Sequence, residues 1–155
     1  MKTRPAGKFF ALGFFLCTAA AAGDVPNGCV QQLLDAQTAR LSACAAVDGV
    51  DARRTGTLPG GARLYLVYEF PGGSGVFSSM VAFTEDNGVL HRLFVLHGGD
   101  RCDNGIKSAR MLPGGGFAVV RNQTPLDLGT GPEFCATCCA GTREEHYNAA
   151  GVRMN

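Results

Sequence analysis

Cys135, Cys138 and Cys139 place three thiols within five residues near the end of the chain. Clustered thiols can do three kinds of chemistry. A Cys-x-x-Cys pair at a helix N-terminus lowers a thiolate pKa and exchanges disulfides. Soft thiolates hold Cu(I) or Zn(II). In an oxidising compartment they form structural bridges. The redox arrangement requires a strand before the motif and a helix after it. Here Gly129 to Phe134 precedes it and Ala140-Gly141-Thr142 follows, so no helix is offered. A closed zinc site wants two ligand pairs, and the chain has one Cys-x-x-Cys. Structural disulfides joining Cys29, Cys44, Cys102, Cys135, Cys138 and Cys139 are the expectation, with no cofactor and no metal.

Elsewhere the chemical signals are weak. His91 and His97 share a strand face, but six residues at about 3.4 Å each hold them about 20 Å apart. His91 is read as a half-buried, hydrogen-bonded sheet residue. His146 has Glu144 and Glu145 beside it in the sequence. No GxSxG, HExxH or phosphate-cradling glycine loop is present. Asp100, Asp103 and Asn104 depart from the calcium-loop spacing, so a loop pinned by Cys102 is favoured over a Ca²⁺ site.

The N-terminus addresses location. Lys2, Arg4 and Lys8 precede an apolar run from Phe9 to Thr18, and Ala20 and Ala22 are small residues of the kind a signal peptidase reads. The run is short of the about 20 residues a membrane span needs. Residues 1–22 are therefore read as a signal peptide, Cys17 leaving with it, and 23–155 as a single exported domain, periplasmic or secreted. Three of the 14 basic residues go with the signal, which leaves 11 against 13 acidic ones, a net of −2. With no basic cluster, this disfavours nucleic acid, and no stable membrane insertion is expected after cleavage.

The elements that position these residues follow from periodicity. Val30, Leu34, Leu41 and Ala45 recur at helical spacing, so a helix is expected over 30–47, capped by Asn27 and ended by Asp48-Gly49. If it is continuous, Cys29 and Cys44 lie about 22 Å apart, beyond the about 7 Å a disulfide spans. They are expected not to pair, and Cys44 and Cys102 are both expected to bond to the C-terminal cluster. Residues 51–61 read as a polar loop. Period-two alternation then marks strands at 62–70, 76–84 and 89–97, the last apolar on both faces and so expected at the centre of its sheet. Asn87-Gly88 is a hairpin signal. Further strands are expected at 106–112 and 117–122, and a terminal hairpin from 142–147 and 152–154. The expected class is α+β: one N-terminal amphipathic helix on a disulfide-stapled antiparallel meander.

Two functional classes fit. One is a non-enzymatic binding or inhibitory module meeting a protein or an envelope polymer through loops that carry Arg53, Arg54, Ser74, Asp100, Arg101, Asp103 and Asn104. The other handles thiols or a soft metal at the Cys135-x-x-Cys138-Cys139 cluster. Export has a direct check: N-terminal sequencing of the protein from its host's envelope is expected to start at Gly23, and an intact Met1 would overturn the signal assignment.

Overall fold

The computed structural model describes residues 24–130 and 139–155. Residues 1–22, expected from the sequence to be a signal peptide, with Cys17, and also Cys135 and Cys138, lie outside the described residues. Among the described residues the fold is mostly antiparallel β-sheet with one helix and two disulfides. Helix α1 spans Asn27–Asp35, followed by strand β1 (Thr38–Arg40) and a single 3-10 turn at Leu41–Ala43. The strands β2 (Val50–Thr57), β3 (Arg63–Glu69), β4 (Phe77–Asp86) and β5 (Val89–Asp100) join β1 in a five-stranded sheet ordered β1-β5-β4-β3-β2. Strands β6 (Ile106–Met111), β7 (Phe117–Gln123) and β8 (Gly141–Tyr147) form a second sheet in that order.

The expected single meander is therefore two sheets, and the break falls after β5. Gly98 and Gly99 form an irregularity in the β4–β5 register between the pairs Ser79↔His97 and Phe77↔Asp100. A Cβ on Gly98 would sit 2.6 Å from the Ser78 carbonyl oxygen, and one on Gly99 would overlap that of Asp103. Only glycine permits this corner, where the chain leaves the first sheet and starts the second.

The helix is shorter than its sequence periodicity suggests. Pro26, not Asn27, stands at its N-terminus, and the Asn27 amide donates instead to Val50 O at 2.9 Å. The Arg92 guanidinium closes the other end, donating to Leu33 O and Leu34 O at 3.2 and 2.8 Å. A cation on the last carbonyls complements the helix dipole. Residues 38–40 then pair with Val89–His91, burying Ala39, so a sheet edge claims a segment whose apolar spacing also suits a helix. The chain doubles back, and Cys29 and Cys44 are bonded with their Cα atoms 5.1 Å apart. That corrects the expectation that they cannot pair and that Cys44 joins the C-terminal cluster. Cys102 does bond into it, to Cys139.

Two further expectations change. Residues 50–57 are an edge strand, not a loop. Arg53 and Arg54 point to solvent there, and their charges mask a pattern in which Val50 and Ala52 pack toward the helix. Strand β4, not β5, is central; Leu93 on β5 is 55 % exposed. Asn87 and Gly88 do take the positive φ angles of a tight hairpin, 50° and 75°.

The first sheet is buried on both faces, which makes three layers and two cores. Val30, Leu33 and Leu34 of α1 pack on Tyr65, Val67, Val81, Phe83 and Leu90. On the opposite face, Leu64, Leu66, Met80 and Ala82 meet Ile106, Phe117, Val119 and Tyr147 of the second sheet. Phe117 stacks between Phe94 and Tyr147, with ring centroids 5.9 and 5.3 Å away.

The second sheet also buries a charge. Glu145 is 4 % exposed and Arg121 6 %. One Glu145 oxygen accepts from Arg121 Nε at 2.8 Å and from the Tyr147 hydroxyl at 2.6 Å. The other faces Arg143 Nε at 3.0 Å and Arg153 at 3.4 Å. Burial pushes the Glu145 carboxyl pKa up. The Tyr147 and Arg121 hydrogen bonds and the Arg121 and Arg143 charges together outweigh it, so the net shift is downward. A carboxyl depressed in the folded state adds stability that is fully present above its unfolded value of about 4.3. That stability is lost as pH falls through the lower folded value. Glu145→Gln is expected to lower unfolding free energy at pH 7 by about 3 kcal/mol, the scale for breaking a buried pair. In urea titrations the gap from the unsubstituted protein should narrow as pH drops below about 4.

Candidate contact surface

Five of the seven residues singled out from the sequence meet at one end of the molecule. Ser74 lies exposed in the turn between β3 and β4, and Asp100, Arg101, Asp103 and Asn104 lie in the corner between the two sheets. Arg101 donates from its guanidinium to Ser74 O at 2.6 Å and from its backbone N–H to Val76 O at 2.8 Å. Asp100 Oδ1 accepts from Val76 N–H at 2.7 Å. These bonds tie the two loops into one body.

The second sheet holds the same corner from below. Asn122 Nδ2 donates to Arg101 O at 2.8 Å, Arg143 to Asn104 Oδ1 at 2.8 Å, and Arg121 to Asn104 O at 3.1 Å. Cys102 is buried and bonded to Cys139. Arg101 and Asn104 carry positive φ, 22° and 62°, a backbone cost that the surrounding bonds offset. Asp100 and Asn104 thus spend side-chain oxygens on pinning the loop. Among the described residues no group of three or more His, Cys, Asp or Glu is placed to share a metal ion.

Arg53 and Arg54 are not loop residues. Arg53 pairs with Asp51 and lies 5.9 Å from the Tyr68 ring centre, while Arg54 donates to Thr57 Oγ1. Tyr68 connects Arg53 to the corner, because its hydroxyl donates to Lys107 O at 2.8 Å. Burial raises the Tyr68 phenol pKa, against the opposing pull of the Arg53 charge. Tyr68, Ser78, Arg101, Ile106, Lys107 and Asn122 line a hollow of about 120 Å³ between the sheets. Tyr68, Ser78 and Lys107 were not singled out from the sequence as site residues. Their one signal was that Lys107 is the only lysine beyond residue 8.

The histidines do not form a site together. His91, paired between Thr38 of β1 and Thr84 of β4, is exposed, not half-buried. His97 Nδ1 lies 3.4 Å from Ser79 Oγ. His146 bonds Glu144 at 2.7 Å, and Arg110 reaches the same oxygen at 2.8 Å. The hydrogen bond from His146 is the main reason the Glu144 pKa is lowered. An open cleft of about 560 Å³ runs beside this pair, lined also by Glu145, Arg153 and Met154. Among its lining residues no Ser, Thr or Cys stands as a nucleophile.

No protein family, curated protein or solved structure is matched by the chain. Among the described residues no helix is long and apolar enough to cross a membrane.

The Cys102–Cys139 bond closes a loop with a sequence separation of 37 residues, for which chain entropy gives about 3–4 kcal/mol. Replacing both cysteines by serine is expected to lower the urea unfolding free energy by about 3 kcal/mol. Hydrogen exchange should speed up at the amides of 100–105, while those of β3 and β4 keep their protection.

Proposed function

We propose that the chain is a small exported, non-enzymatic binding or inhibitory module, periplasmic or secreted, that meets a protein or envelope polymer through its loop end. The observation that carries this is the cross-bonded pair of loops, 72–76 and 100–105, fixed to each other and to the second sheet. Loops ordered before binding spare the partner complex the about 0.5–1.5 kcal/mol that each immobilised side chain costs. Two disulfides in a small domain suit an oxidising compartment, and the N-terminal segment supplies the export address.

Capture from the envelope fraction of the source organism tests the reading. Asp100, Arg101 and Asn104 hold the loop, so the informative double variant is Ser74→Ala with Asp103→Ala. It is expected to reduce capture of a specific partner at least tenfold while changing stability by no more than about 1 kcal/mol. Undiminished capture would move the contact surface elsewhere.

The second reading, thiol-redox or soft-metal handling, rests on a different observation. Cys29, Cys44, Cys102 and Cys139 are all in disulfides, so Cys135 and Cys138 are the two mature cysteines in neither of these bonds. Thiol counting under denaturing, non-reducing conditions separates the two. The binding module yields none and the thiol handler two.

A further inference from the structure

We propose that the hollow between Tyr68, Ile106 and Lys107 is an anchor pocket for an acidic side chain of a partner protein. This rests on the binding reading above and names the chemistry of its contact. At about 120 Å³ the hollow has room for about four waters at roughly 30 Å³ each. It lies well below the about 300 Å³ at which small-molecule sites begin. One side chain fits it. Interfaces draw most of their energy from a few such buried anchors.

The polarity of the lining selects the side chain. Six arginines are within ion-pair distance of a carboxylate: Arg53, Arg63, Arg110, Arg121, Arg143 and Arg153. Arg101 and Lys107, which line this hollow, have no carboxylate partner among the described residues. Arg101 spends one guanidinium N–H on Ser74 O and keeps the rest of its five donors. The Asp100 carboxylate is turned to the Val76 N–H.

The floor carries a further donor. Ser78 is 2 % exposed, and its Oγ accepts from Ile106 N–H at 2.6 Å. Among the described residues its own proton has no acceptor. A buried hydroxyl with an unspent proton, two lining residues whose cations have no carboxylate partner among the described residues, and the apolar flank of Ile106 match a carboxylate on a short methylene stem. Charge-assisted hydrogen bonds of this kind are about twice as strong as neutral ones. A phosphate would bring the anion without the stem.

The ¹⁵N-labelled protein titrated with N-acetylglutamate methylamide, its glutamine counterpart and inorganic phosphate tests the assignment by NMR. The glutamate probe is expected to shift the amide signals of Ile106, Lys107 and Asn122 with a millimolar midpoint. The glutamine probe and phosphate should act at least tenfold more weakly, and Lys107→Gln should weaken the glutamate probe about tenfold. Arg101→Lys keeps the charge and is expected to retain most of the response. Equal response to glutamate and glutamine, equal or stronger binding of phosphate, or no response at these signals would each overturn the assignment. The parent reading fails separately. If Ser74→Ala/Asp103→Ala abolishes partner capture and Lys107→Glu leaves it intact, the pocket is wrong and the binding module stands. If the glutamate probe binds as expected and no partner is captured, the hollow's carboxylate chemistry stands, while the module reading and the partner anchor built on it fail.

Discussion

The buried Glu145 carboxylate is the constraint on which the rest of the second sheet depends. Such a charge is tolerated only when its lone pairs are filled, and four donors from β7, β8 and the C-terminal segment fill them here. Arg121 is then held so that its remaining N–H groups reach His97 O at 3.3 Å and Asn104 O at 3.1 Å. The first acceptor belongs to the five-stranded sheet and the second to the corner loop. One guanidinium therefore joins both sheets and the corner loop. The apolar core brings the layers together without direction, whereas this network sets how they are registered.

The parts of the fold legible in the sequence are those decided by neighbours in the chain. Asn87-Gly88 and the alternation on either side of it are local, and β4, β5 and their hairpin stand where the pattern puts them. The helix is not local in this sense. Leu41 and Ala45 extend the apolar stripe, but the backbone of β5 and the Arg92 cap decide where the helix stops, and both come from residues roughly 50–60 positions away. Strand β2 was hidden for the opposite reason. An edge strand needs charges on its exposed positions, so Arg53 and Arg54 read as loop. The division into two sheets was present as Gly98-Gly99, a pair whose meaning depends on Ser78 and Asp103 lying against it. The candidate surface was legible as a loop rich in Asp, Arg and Asn. The hollow beside it was not, because Tyr68, Ser78 and Lys107 come from three strands of two sheets.

Strand edges argue for loops as the contact surface. An open edge pairs readily with another extended chain, and the edges of β5, β8 and β2 are obstructed. On β5, β1 covers Val89–His91, Gln37 O takes the Arg92 N–H, and Arg121 occupies His97 O. That leaves an open stretch of about four residues, bent by the irregularity between Arg92 and Phe94, short of a typical strand of about five or six. On β8, Met154 N–H bonds His146 O, and Tyr147 bridges Arg153. The edge of β2 carries Arg53 and Arg54. A partner arriving as a strand on these edges would have to displace one of these groups, whereas one approaching the loop end meets Arg101 and Lys107, two cations with no carboxylate partner among the described residues.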